Sequence, residues 1–160
     1  MSEEINLEVG QSAPRFSCLD SAGNKHDLEQ YMADGKSVIL YFYPKDSTPG
    51  CTTQACDFRD SMARLNTGDY VVLGVSKDSS KSHDKFIAKK DLNFPLLMDE
   101  DLSLHHSYGV WREKSMYGKK YMGTSRSTFV IGSDGKLTWV GYGVRAKGHV
   151  AKVMSELGIE

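Results

Sequence analysis

No apolar run in this 160-residue sequence approaches the roughly 18 residues that a membrane-spanning helix needs. Neither sign of charge is in excess, since 20 basic residues stand against 21 acidic ones and the net charge is −1. A surface so balanced offers no electrostatic reason to expect nucleic acid or an anionic membrane as partner. Cysteine is scarce and odd in number, at three, which fits a disulfide-stapled secreted domain poorly. In a reducing compartment cysteines are more often catalytic, metal-bound or core residues. The opening Met1-Ser2-Glu3-Glu4-Ile5-Asn6 lacks the basic-then-apolar order of a secretory signal, so a cytoplasmic protein is expected. There is no internal repeat, no low-complexity stretch and no linker. Residues 1–160 are therefore read as one domain, large enough to bury a core without staples.

What is present is an alternation of strand and helix signals. Phe16 to Leu19 reads as a short strand, Ser21 to Asn24 as a turn, and Asp27 to Met32 as a short helix. Val38 to Tyr43 is an almost continuous apolar run of β-rich composition, as expected of a strand covered on both faces. Tyr70 to Val75 is a second such strand, and Pro95 to Met98 a shorter one. Helices are predicted from about Thr48 to Asn66, over Ser79 to Lys90, over Leu102 to Tyr108 and over Val150 to Leu157. Thr128 to Ile131 and Leu137 to Val140 flank Gly132-Ser133-Asp134-Gly135, a strong hairpin signal. The order implies an α/β fold: a central mixed sheet, parallel where helices cross over and antiparallel at the hairpin, flanked by helices.

The chemically informative stretch is Pro44 to Cys56, where a buried strand gives way to a helix. Open α/β sheets place their ligand sites at that end of their strands. Thr48 followed by Pro49 marks a helix start, with threonine as the cap and proline in the first helical position. Cys51 then falls in the first turn, where free amides and the helix dipole favour an anion. A thiolate is a nucleophile, and were its target a peroxide, ionisation alone would not make it a fast one. At the reference value of about 8.5, full ionisation gains at most about 30-fold at pH 7. The rest of the barrier lies in the O–O bond and demands donors aimed at the departing oxygen. Thr48, three residues before Cys51, is one candidate, and an arginine would do more.

Cys56 lies five residues beyond Cys51. In a wound helix their Cα atoms stand about 8.6 Å apart, beyond the roughly 7 Å that a disulfide tolerates. The two can bond only if the first turns unwind. A permanent bridge would spoil the encoded helix, whereas a transient one, formed when Cys51 is oxidised to a sulfenic acid, is consistent with it.

Pro44-Lys45-Asp46-Ser47-Thr48-Pro49-Gly50-Cys51 carries the P-x-x-x-T-x-x-C pattern of peroxiredoxins. The second cysteine five residues on resembles the bacterioferritin comigratory protein branch, also called peroxiredoxin Q. The likeness runs through Asp57-Phe58-Arg59-Asp60, Val75-Ser76, Phe94 to Leu97, Tyr108 to Trp111 and Arg126 to Val130. It implies a thioredoxin-like fold with an N-terminal extension, Cys51 as peroxidatic thiol and Cys56 as resolving thiol. It implies that Thr48 hydrogen-bonds peroxide and thiolate, that Pro44 shields the site from water and that Arg126 supplies positive charge. It further implies hydroperoxide substrates, thioredoxin as reductant, no metal or organic cofactor, and a monomer. Gln54 stands where relatives often carry an acidic residue.

Two other functions use the same residues. Thiol-disulfide oxidoreductases of this fold carry C-x-x-C, whereas four residues separate the present pair. A peroxide-sensing redox switch would use the same opening helix without turnover. Cys18, in the first strand, reads as a packing residue, and His83, His105 and His106 show no ligand spacing relative to the cysteines. The segment Trp111 to Met122, rich in aromatic, methionine and basic residues, reads equally as a rim of the active site or as a surface loop.

Overall fold

A computed structural model of the chain describes residues 5–159. The elements in chain order are β1 (Ser17–Leu19), β2 (Lys25–Asp27), α1 (Leu28–Ala33), β3 (Ser37–Phe42), α2 (Pro49–Thr67), β4 (Tyr70–Ser76) and α3 (Ser80–Lys90). There follow β5 (Leu96–Met98), α4 (Ser103–Ser107), β6 (Trp111–Met116), β7 (Lys119–Thr124), β8 (Ser127–Ile131), β9 (Leu137–Gly141) and α5 (His149–Glu156). Five strands form the central sheet in the order β5-β4-β3-β8-β9. β3, β4 and β5 run parallel, and β8 and β9 antiparallel. The expected mixed sheet flanked by helices is the observed one.

Strand β3 explains why the sheet is buried on both sides. Successive side chains of a strand point to opposite faces. Ile39 and Tyr41 join one core cluster, with Tyr43 just beyond the strand, while Val38, Leu40 and Phe42 join the other. The first face is covered by α2, α3 and α5 through Phe58, Leu65, Phe86 and Val153. The second is covered by α1 and α4 through Leu28 and Leu104. Within α2, Ala55, Phe58, Met62 and Leu65 recur at helical spacing and are buried, so one stripe of this long helix lies on the sheet.

Two features escaped the sequence pattern. Lys25–Asp27 pairs antiparallel with β1, closing a hairpin across the turn at 21–24. Asp20 organises that turn, its Oδ1 accepting from the amides of Ala22 (2.9 Å) and Asn24 (3.0 Å). The strand itself is Lys-His-Asp and shows no apolar alternation. Asp27 then caps α1, accepting from the Glu29 amide. The second is the segment from Trp111, which forms the two-stranded hairpin β6–β7 rather than a loop. Its turn sits at Tyr117 and Gly118, both with positive φ (52° and 78°), the backbone a tight hairpin requires. Met116, Tyr117, Tyr121 and Met122 are exposed on it.

Cys18 lies half-buried on β1 against the second core cluster, and its thiol donates to the Met98 carbonyl (3.3 Å). Burial, and then the charges of Asp99 and Asp101, push this thiol up to about 11. Only about 0.1% is then thiolate at pH 8, against roughly a quarter of an ordinary thiol. Alkylation of the native protein at pH 8, mapped by mass spectrometry, should label Cys18 roughly 200-fold more slowly than a free thiol. Labelling at the free-thiol rate would contradict the packing reading.

His149, the first residue of α5, is buried with Nε2 2.8 Å from the Thr128 hydroxyl. Burial, reinforced by the charges of Arg126 and Lys152, pulls its imidazole down to about 4. The folded state therefore binds fewer protons than the unfolded chain between about pH 4 and pH 6.5, and stability falls as pH drops through that window. The loss is at most about 3 kcal/mol at one site. Denaturant unfolding at pH 7 and pH 4.5 should show a smaller loss in His149→Gln than in the native chain. Equal losses would remove His149 from the acid response.

Candidate active site

The loop from Pro44 to Thr48 connects β3 to α2, at the carboxyl end of the central strand. Thr48 occupies the N-cap position with extended backbone (φ −82°, ψ 155°), and Pro49 is the first helical residue. The cap is not made by the side chain. The Thr48 hydroxyl instead donates to the Lys45 carbonyl (2.9 Å), so the helix begins without a side-chain cap. The amides of its first turn, which have no intrahelical acceptor, remain available to an anion. Pro44 is half-buried on the same loop.

Cys51 follows in that first turn and is almost completely buried, at 1% exposure. Its sulfur accepts from Arg126 Nη2 at 3.4 Å. The second guanidinium nitrogen, Nη1, donates to Gln54 Oε1 at 2.6 Å. Arg126 and Cys51 are 75 residues apart in sequence, and strand pairing brings them together. β8 runs antiparallel to β3 with Ser127 opposite Phe42. The residue before Ser127 thus stands at the end of β3 where α2 begins. Gly50 leaves room for the crossing guanidinium: a Cβ there would lie 3.2 Å from Arg126 Nη2.

Gln54, noted in the sequence as a departure from an acidic residue, is fully buried one turn beyond Cys51. Arginine can only donate, so the amide oxygen of Gln54 must face it and the amide nitrogen must face away. Among the described residues, the buried side-chain polar atoms without a hydrogen-bond partner are that Nε2 and the hydroxyl of Tyr41. Burial, and then the Cys51 charge, hold the Tyr41 phenol well above its ordinary range, so it remains a proton donor. A neutral Gln54 orients Arg126 without cancelling its charge, as a carboxylate would. The buried sulfur thus faces a guanidinium whose charge is not shared with a carboxylate.

Hairpin β6–β7 adds a second cation to this field. Lys114 Nζ donates to the Thr124 carbonyl (2.9 Å), two residues before Arg126. Burial and then the Arg126 charge pull its ammonium down, while Cys51 acts in the opposite sense. The inner part of the hairpin therefore shares the electrostatic environment of the cysteine, while its apolar tip is exposed. The sequence marked this segment only by composition and did not single out Lys114.

Cys56 is half-buried on the same helix, α2 is wound through both cysteines, and all three cysteines are free thiols. The two thiols of the pair are thus held apart in this state, as helix geometry requires.

Sequence reasoning missed what lies behind the loop. Asp46 is buried and accepts from Tyr43 (2.5 Å), Ser82 (2.8 Å) and His83 Nδ1 (2.7 Å). The other His83 nitrogen lies 3.0 Å from the Leu97 carbonyl, which can only accept. Both ring nitrogens therefore carry protons. Burial alone would lower the imidazole, but Asp46 and the Leu97 carbonyl outweigh it and the net shift is upward. Asp46, Asp78 and His83 offer ligand atoms within 4.8 Å of one another. With both His83 nitrogens donating, however, the arrangement is a hydrogen-bonded ion pair and not an open metal-ligand set. The lone signal in the sequence was a histidine inside a lysine-rich helix, and helical spacing from Phe86 puts His83 on the inward face.

Residues 9–140 match the model of the AhpC/TSA family. The chain is 44% identical over 153 residues to peroxiredoxin Bcp of Bacillus subtilis strain 168, covering 96% of each chain. Its fold is similar to that of a cysteine-to-serine mutant of PrxQ from Xylella fastidiosa, with TM-score 0.89 and 34% identity, covering 96% of this chain and 97% of that one. It is also similar to the bacterioferritin comigratory protein of Xanthomonas campestris, solved as trapped intermediate and ligand complexes in connection with alkyl peroxide reduction. There the TM-score is 0.83 and the identity 38%, over 89% of this chain and 90% of that one. These likenesses extend through the cysteine-bearing loop and helix just described, and on them the chain belongs to the AhpC/TSA family, in its Bcp or PrxQ branch of thiol-dependent peroxidases.

Proposed function

We propose that Cys51 is the peroxidatic thiol of a single-domain, monomeric cytoplasmic enzyme that reduces hydrogen peroxide and organic hydroperoxides and is recycled by thioredoxin. The observation that carries this reading is the Arg126 guanidinium 3.4 Å from a buried sulfur in the first turn of a helix. A thiolate is stabilised at such a position, and the same donors can meet the charge that develops as the O–O bond breaks. The Xanthomonas campestris relative's alkyl peroxide reduction supports organic hydroperoxides as substrates.

In the proposed cycle the Cys51 thiolate attacks one peroxide oxygen, the O–O bond breaks, and the departing oxygen takes a proton to leave as water or an alcohol. Cys51 becomes a sulfenic acid. Thr48 rotates its hydroxyl from the Lys45 carbonyl toward the bound peroxide, and Pro44 keeps water from the sulfur. The first turns of α2 then unwind and the Cys56 thiolate attacks the Cys51 sulfur, expelling hydroxide, which leaves as water. The resulting disulfide accepts two electrons from the thioredoxin dithiol by exchange, restoring both thiols and leaving thioredoxin oxidised. No metal or organic cofactor enters these steps.

Cys51→Ser should abolish peroxide consumption in a thioredoxin-linked assay. Cys56→Ser should consume one equivalent and stop as a sulfenic acid that a dimedone-type reagent captures. Continued thioredoxin-linked turnover in Cys56→Ser would contradict the resolving role. Arg126→Ala should slow the first-turnover attack on peroxide by about 10²–10³-fold, the range seen when a charge-stabilising donor is removed. An unchanged stopped-flow rate would take Arg126 out of the mechanism.

A further inference from the structure

The Cys51–Cys56 bridge requires part of α2 to unwind, and the structure bears on how far. Upstream of Cys51, Asp46 is held from α3 by Ser82 Oγ (2.8 Å) and His83 Nδ1 (2.7 Å), with Ser79 capping the helix they belong to. His83 and Asp46 are 0% and 2% exposed at their side chains, and both ring nitrogens of the histidine are spent. The Asp46 amide adds a bond to Asp78 Oδ2 (2.8 Å), in the loop that leads into the same helix. Downstream of Cys56, Arg59 Nη1 donates to the carbonyl of Lys90 (2.6 Å), the last residue of α3. A cation at a helix C-terminus is well placed to hold those carbonyls. Asp60 fixes the guanidinium from the side (2.9 Å), and Asn93, just past α3, donates to the Arg59 carbonyl (3.2 Å).

One helix thus grips the cysteine-bearing segment at both ends, the near end through its first turn and the far end through its last. We infer that α3 is a bracket that confines the catalytic unwinding to residues 47–58, with Asp46, His83 and Arg59 as positioning residues for the step that joins the two cysteines. The inference rests on the proposed Cys51–Cys56 disulfide. At its start this stretch has few restraints of its own. Ser47 takes a positive φ (62°), Thr48 makes no side-chain cap, and Pro49 and Gly50 add little helix stability.

The bracket is asymmetric. Cys56 stands one helical turn from the Arg59 anchor, whereas Cys51 stands five residues from the Asp46 anchor. Cys51 is also the buried member of the pair and Cys56 the partly exposed one. The travelling sulfur is therefore Cys51, which leaves the core and moves to a partner held near the fixed end. Without the far anchor the helix would unravel past Cys56 more readily, and the two sulfurs would meet less often. Phe58, packed on Tyr41 at 4.7 Å between ring centroids, offers a second restraint at the same point. The test must therefore separate Arg59 from it.

The test is amide hydrogen exchange by mass spectrometry on the full chain, reduced and after one equivalent of hydrogen peroxide, with the disulfide scored by peptide mass. In the native chain, oxidation should raise exchange over residues 47–58 only. In Arg59→Gln the oxidised chain should also lose protection, by about tenfold or more, over residues 60–66, as expected when a charged hydrogen bond is removed. Arg59→Lys, which keeps a cation for the Lys90 carbonyl, should restore the boundary. The first-turnover attack on Cys51 should keep its native rate while disulfide closure slows, a split that general destabilisation would not produce. In His83→Gln the gain should spread upstream to the Asp46 amide; should that variant fail to fold, Arg59→Gln decides alone. A bridge that forms with the same exchange boundary in the native chain and Arg59→Gln overturns the bracket and leaves the peroxidase cycle standing. If no bridge forms in the native chain, the cycle fails and the bracket with it.

Discussion

A wound α2 keeps the two cysteines of this protein from meeting, and much of the local architecture answers to that constraint. Five residues of helix set Cys51 and Cys56 about 8.6 Å apart and on different sides of the axis. The same winding buries Cys51 in the stripe that ends at Leu65 and presents first-turn amides to its sulfur. Burial and helix formation therefore favour one arrangement, and a Cys51–Cys56 bond the other. The stretch leading into Cys51, with Ser47 at positive φ and Pro49 and Gly50 behind it, holds a helix weakly, while Phe58 and Arg59 beyond the pair are tied firmly to the rest of the chain. Weak local structure beside strong anchors is what a reversible local transition requires.

Charge is managed in the opposite way, by placing few groups and spending them carefully. Arg126 reaches the sulfur across a glycine, is oriented by a neutral amide, and has a histidine nearby that burial keeps uncharged near neutral pH. A carboxylate at Gln54 would hold the arginine equally well but would divide its charge between two anions. With Cys51 and Gln54 both buried, such a difference weighs more than it does at a surface. Lys114 approaches from a separate hairpin and enlarges the positive field without touching the sulfur's hydrogen-bond shell.

Aspartate–histidine pairs recur as the fastening for loops around the sheet. Asp20 with His26 closes the β1–β2 turn, Asp46 with His83 secures the loop before α2, and Asp99 with His105 seats α4. His105 passes its other nitrogen to the Thr124 hydroxyl (2.8 Å), and Thr124 in turn receives Lys114. Each pair is largely buried and each carboxylate takes further donors, so these buried polar groups are satisfied where they sit. Loops that would otherwise move are thereby attached to the rigid sheet, leaving the start of α2 as the less restrained stretch near the cysteines.

By itself the sequence determined the alternation of strands and helices, the mixed sheet, and the cysteine pair at a helix start. Those features are written in short-range signals: a continuous apolar, β-rich run in β3, a helical period from Ala55 to Leu65, and the Thr48-Pro49 pair at the boundary. Features with weak local signals were not legible. Lys25–Asp27 is a strand without a strand's composition, and the hairpin from Trp111 depends on two left-handed residues, one of them a tyrosine. The meeting of Arg126 with Cys51 was decided by the tertiary structure, since it follows from which residue of β8 lies opposite which residue of β3. So were the turn of the Thr48 hydroxyl toward Lys45, the pairing of His83 with Asp46 and the grip of α3 on both ends of the cysteine segment. The physical reason is common to all of these. A side chain's own neighbours in sequence set its backbone, but its charge and hydrogen bonds are completed by groups that only chain reversal brings within 3 to 4 Å.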